Sequence, residues 1–135
     1  MKRALRILLY TAILLLPLGL VASHVTGSAS AKGAPACSKK HLNTKNCTIK
    51  QTKSFTFSPQ FIQVKAGVTV TWVNTAPFAH TTTSDPGDAD SWDSGSMGPH
   101  ATFSHTFNVT GTMGYHCSFH GSPGHGMYGT ITVTP

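Results

Sequence analysis

The chain has 135 residues, of which only 10% are charged, enough for one domain with its own core. The net charge of +6 is unevenly placed: Lys2, Arg3 and Arg6 include both arginines, and all four acids are aspartates, Asp85, Asp88, Asp90 and Asp93. Beyond residue 31, seven lysines against four aspartates leave +3 without an arginine, which argues against a nucleic-acid surface.

Residues 1–31 read as an export segment. Lys2, Arg3 and Arg6 precede an uncharged, mostly apolar run from Ile7 to Ala22, and the small-residue stretch "SASAK" offers cleavage after Ala31. An uncleaved membrane anchor through residues 7–22 is the competing reading. A span takes about 20 apolar residues, so this run is slightly short and cleavage is favoured. Either way the remainder is extracytoplasmic: periplasmic, secreted or held on the outer face of a membrane. In that setting Cys37 and Cys47 can close a disulfide loop within a lysine-rich segment, residues 32–53, part of which forms a first edge strand. Cys117 is then the odd thiol. Acylation of Cys37 is disfavoured, because "GAPAC" lacks a leucine-like residue and lies far from the apolar run.

Residues 54–135 show alternation and no helical period. "SFTFS" puts Phe55 and Phe57 on one face, and "FIQVK" pairs Ile62 with Val64. "VTVTWVN" turns Val68, Val70 and Trp72 inward, with Thr69 and Thr71 opposite. The stretch "TTTSDPGDADSWDSGSMGPHA" is a loop region with room for a short strand. "ATFSHTFNV" aligns Phe103, His105, Phe107 and Val109. "MGYHC" places Met113, Tyr115 and Cys117 on one face and His116 on the other, and "YGTITV" closes with Ile131 and Val133. Short alternating strands separated by turns predict an antiparallel sandwich.

The chemistry concentrates in "HCSFHGSPGHGM", residues 116–127. Inward parity buries the Cys117 sulfur where a strand runs into a loop. His120 follows in C-x2-H spacing, so one chain reversal brings thiolate and imidazole to a common ion, and Met127 follows across a Gly- and Pro-rich loop. Thiolate, imidazole and thioether together suit copper in both oxidation states. A trigonal copper site needs a second histidine from elsewhere, and His80, just after the strongest strand, is the best placed. Zinc is the rival metal, but the paired C-x2-C spacing of structural zinc is absent. The remaining histidines have plainer readings: His116 and His100 at the surface, His105 as strand packing, His41 solvated, His24 in the export segment. The aspartates do not follow a calcium-loop spacing and read as a solvated loop. Trp72 and Trp92 read as packing.

From about residue 53 to 134 the chain resembles the small blue copper proteins, the plastocyanin-like cupredoxins. The resemblance rests on "FSPQFIQVKAGVTVTWVN", "FAH", "SWDSG" and above all "YHCSFHGSPGHGMYGTITV". It implies an all-β, eight-stranded Greek-key sandwich with one type 1 copper ion at one end. His80, Cys117 and His120 are implied as the trigonal ligands and Met127 as the weak axial one. Two departures stand out. Plastocyanins proper have H-x4-M; here the spacing is H-x6-M, as in halocyanin- and auracyanin-type members, and His125 at the x4 position competes for the axial role. Plastocyanins also carry Asn directly after the first histidine, where this chain has Thr81. The implied function is one-electron transfer between redox protein partners by a monomer cycling Cu(I)/Cu(II), and not an enzyme. Phe78, Met97, Phe119 and Pro123 form the expected docking patch. A copper carrier or store is the alternative. A multicopper-oxidase relative is disfavoured, because "HCSFH" lacks the histidine after cysteine, and a metal-free structural sandwich leaves the ligand set without a purpose.

Overall fold

The computed structural model describes residues 36–38 and 45–135; the expected export segment and the possible membrane contact through residues 7–22 lie outside the described residues. Eight strands follow in order: β1 (Asn46–Gln51), β2 (Phe57–Ser58), β3 (Phe61–Lys65), β4 (Val68–Asn74), β5 (Thr83–Ser84), β6 (Thr102–Phe107), β7 (Gly111–Ser122) and β8 (His125–Thr134). They form two four-stranded sheets, β2-β1-β4-β6 and β3-β8-β7-β5, the expected all-β Greek-key sandwich. No helix of the described residues is long and apolar enough to cross a membrane.

The sandwich is mixed, where alternation predicts antiparallel pairing. β1 runs parallel to β4, from Asn46↔Thr69 to Gln51↔Asn74, and β3 runs parallel to β8, from Phe61↔Thr130 to Lys65↔Thr134. Parallel neighbours need a crossover, and the chain supplies one by visiting the opposite sheet between them. Side-chain periodicity is the same in both pairings, so it carries no information about direction. β1 is the expected early strand, but it lies between β2 and β4 and not at the edge.

Inward parity builds the core. Ile49, Val64, Val70, Trp72, Phe107, Met113, Tyr115 and Ile131 are fully buried, each contributing roughly 1.5–3 kcal/mol. Trp72 lies at its centre, with ring centroids 5.5 Å from Tyr115 and 5.8 Å from Trp92. Two parity readings need correcting. Phe55 does not share the face of Phe57, because a turn intervenes: Phe57 is buried and Phe55 is 45% exposed. Val109 is exposed because β6 ends at Phe107, and Phe103 and His105 are only half-buried because β6 is a sheet edge.

The N-terminal segment is stapled to the fold. Cys37 and Cys47 form the expected disulfide, and the Cys37 N–H donates to the Thr48 carbonyl at 2.8 Å. The aspartate loop is also fastened, and not merely solvated. Asp85 pairs with His116 at 2.7 Å and Asp90 with His105 at 2.9 Å, while Asp88 accepts from the Gly114 N–H at 2.7 Å. His105 stacks on Trp92, with centroids 5.2 Å apart.

Candidate metal centre

At one end of the sandwich β7 and β8 part. His116 faces Tyr128, and the next pair in register is Gly121↔Gly126. Between those pairs β7 carries Cys117, Ser118, Phe119 and His120, while β8 carries only Met127. This bulge puts the thiol and one imidazole on the inner side of a strand with Met127 directly across. Two glycines close it again. A Cβ on Gly121 would stand 2.7 Å from both the Met127 nitrogen and oxygen, and Gly126 has φ 65° and would press a Cβ to 2.6 Å from the His120 carbonyl oxygen. The expected Gly- and Pro-rich loop between His120 and Met127 is thus mostly paired strand, with Pro123 and Gly124 as its turn.

The second histidine arrives from the other sheet. After β4, Asn74 is fully buried, and its side-chain amide donates to the carbonyls of Phe78 (2.8 Å), Met97 (2.8 Å) and Gly98 (3.1 Å). His80 pairs by backbone with Met97: its N–H reaches the Met97 carbonyl at 3.1 Å and its carbonyl accepts from the Met97 N–H at 2.8 Å. One residue on, Gln51 of β1 donates from Nε2 to the Thr81 carbonyl at 2.9 Å. The backbone that carries His80 is therefore fixed by polar contacts from three separate segments.

The three donors converge. Cys117 Sγ lies 3.6 Å from His80 Nδ1 and 3.4 Å from His120 Nδ1, and the two Nδ1 atoms are 3.1 Å apart. Among the described residues, these form the one His/Cys/Asp/Glu group whose ligand atoms all lie within 4.8 Å of one another. A triangle with those three sides has a circumradius of about 2.0 Å, the length of a metal–imidazole bond, so the donors enclose a space of the right size for a first-row ion. Burial, then the neighbouring His120, hold the His80 imidazole below the ordinary histidine range, while the Thr52 backbone acts in the opposite direction. The ring is thus neutral at pH 7, as ligation requires. Met127 is fully buried, whereas His125 is exposed and outside the group.

Thr81 settles the departure noted after the first histidine. Its backbone N–H, not a side chain, donates to Cys117 Sγ at 3.3 Å. Its hydroxyl accepts from the Ser118 N–H at 2.8 Å, clamping the strand beyond His80 to the strand carrying the sulfur. Asn74 and Gln51 were not singled out by sequence as site residues. Both carry a polar side chain at an inward-facing strand position, and that is the signal that marks them. The expected docking patch needs one correction. Met97 is only 3% exposed, because it pairs with His80; Phe55 takes its place at the surface beside Phe119, with centroid distances to His120 of 4.5 and 6.2 Å.

Residues 43–134 match the family model described as copper binding proteins, plastocyanin/azurin family. The chain is 39% identical over 85 residues to plastocyanin of Scenedesmus fuscus, covering 57% of this chain and 85% of that protein. It is 38% identical over 85 residues to the chloroplastic plastocyanin of Hordeum vulgare, covering 57% of this chain but only about half, 54%, of that protein. Among solved structures, an oxidised amicyanin mutant superposes with a TM-score of 0.56 at 27% identity, over 64% of this chain and 80% of that one. A parted hairpin aiming sulfur and imidazole at a buried histidine thus coincides with a match over most of the chain, and the protein belongs to the plastocyanin/azurin family of copper binding proteins, with copper as its cofactor.

Proposed function

We propose that the protein is an extracytoplasmic one-electron carrier that holds a single type 1 copper ion through His80, Cys117 and His120, with Met127 as the weak axial donor. The observation that carries this reading is the convergence of one thiol and two imidazole nitrogens, within 4.8 Å of one another, on a fold of the copper-binding family. Bound copper would supply a one-electron couple, Cu(II)/Cu(I). The chain's own residues supply the rest. Both histidines present Nδ1 toward the sulfur, Thr81 donates to that sulfur, and the buried surroundings keep water away from it. Met127 is favoured over His125 as the axial donor because it is buried opposite the bulge, while His125 faces solvent.

Rigid donors suit electron transfer, because a site that need not rearrange between valence states exchanges electrons with little nuclear motion. His120, the half-buried member, lies nearest the surface among Phe55, Phe78 and Phe119. That apolar rim is the docking face for redox protein partners, and no substrate is transformed. The Cys37–Cys47 disulfide supports an oxidising, exported location. The direct test is reconstitution with Cu(II) followed by a visible spectrum and voltammetry. An intense visible band and a reversible one-electron wave without metal loss are expected. A colourless protein, or one that releases copper on reduction, removes the carrier reading.

A further inference from the structure

Phe55 breaks two ordinary rules at once. The residue is 45% exposed, and its φ of 56° lies in the left-handed region that bulky residues avoid. Backbone outliers of this kind persist only where their surroundings over-determine them. Here they do. The Thr52 N–H donates to the Thr56 carbonyl at 3.0 Å, the Phe55 N–H to the Thr52 carbonyl at 3.2 Å, and the hydroxyls of Thr52 and Thr56 are 2.8 Å apart. On either side Gln51 and Phe57 are buried, one bonded to the Thr81 carbonyl and the other packed on Tyr115 at 4.6 Å. The result of this arrangement is specific. The Phe55 ring lies 4.5 Å from the His120 ring and stacks on Phe78 at 5.1 Å and 24°, leaving the rest of it in water.

We propose that Phe55 is a positioning residue for His120. Its ring holds the imidazole in the ligating orientation and keeps water from that side of the centre, and so keeps the reduction potential higher than an uncovered site would have. The sign follows from charge. A site with one thiolate carries one positive charge when oxidised and none when reduced, so water favours the oxidised form and an apolar cover favours the reduced one. The proposal rests on the copper reading above but concerns a residue outside the donor set.

The test uses the full chain reconstituted with Cu(II), as wild type and as Phe55→Gly, Phe55→Ala and Phe55→Tyr. Glycine suits the left-handed backbone, so Phe55→Gly should match or exceed the wild type in thermal stability while its reduction potential falls and its visible band persists. Phe55→Ala should lower the potential in the same direction, and Phe55→Tyr should restore the wild-type value. In the metal-free protein, NMR should show the His120 ring signals shifted and broadened in Phe55→Gly but not in Phe55→Tyr. A blue wild type whose potential and His120 signals ignore these changes overturns this inference alone. A colourless wild type overturns the copper reading, and the inference with it.

Discussion

Two regions meet at the metal centre, and they are held in different ways. The β7–β8 hairpin carries three of the proposed donors, Cys117, His120 and Met127, through chain continuity: strand register places the bulge, and register closes it again at Gly121↔Gly126. The segment after β4 contributes His80 alone, held through hydrogen bonds from Asn74, Met97 and, by way of Thr81, Gln51. The first region is local in sequence and covalently tight. The second is assembled from positions up to 30 residues apart, and its geometry is only as stable as the sandwich that brings them together. A site built half from each inherits the precision of the hairpin and the cooperativity of the whole fold.

That contrast is open to attack from either side. The largest effect is expected at the hairpin: Cys117→Ser should abolish the intense visible band while circular dichroism still reports a folded sandwich, and a surviving band would remove the thiolate assignment. On the assembled side, Asn74→Ala leaves three backbone carbonyls without their shared donor. We expect a stability loss on the order of 2–3 kcal/mol by urea unfolding and about 10–100-fold weaker copper binding in chelator competition. Unchanged affinity would mean that His80 needs no such support. The staple at Cys37 is a control outside both regions. Cys47→Ser should cost about 3 kcal/mol of stability and leave the spectrum of the folded protein as it was. Smallest in stability is Met127→Leu, a volume-conserving change worth less than about 1.5 kcal/mol. It should retain copper and raise the reduction potential, whereas His125→Ala should leave the potential in place; the reverse outcome would move the axial role to His125.

The same contrast explains what the sequence discloses. Cys117, His120 and Met127 are legible because ligand chemistry, parity and short spacing coincide in a dozen residues, and His80 because it follows the most regular strand. Asn74 and Gln51 were half-legible: Val68, Val70 and Trp72 face inward, and Asn74 continues that series, as Gln51 continues Cys47 and Ile49. A polar residue at such a position must find partners, but the partners are non-local and parity does not name them. Phe55 was misread because its turn contains neither Gly nor Pro, so nothing announced a break in alternation. Strand direction stayed hidden for a related reason, since parallel and antiparallel neighbours impose the same period of two.

The glycine clasp beyond the bulge has one more consequence. Because Gly121↔Gly126 and Ser122↔His125 re-form the ladder, the tip at Pro123 and Gly124 is insulated from the donors. That tip is a handle outside the clasp. A peptide tag or an electrode linker inserted at that tip should leave the colour of the protein untouched, which makes this turn the natural place to wire it to a surface.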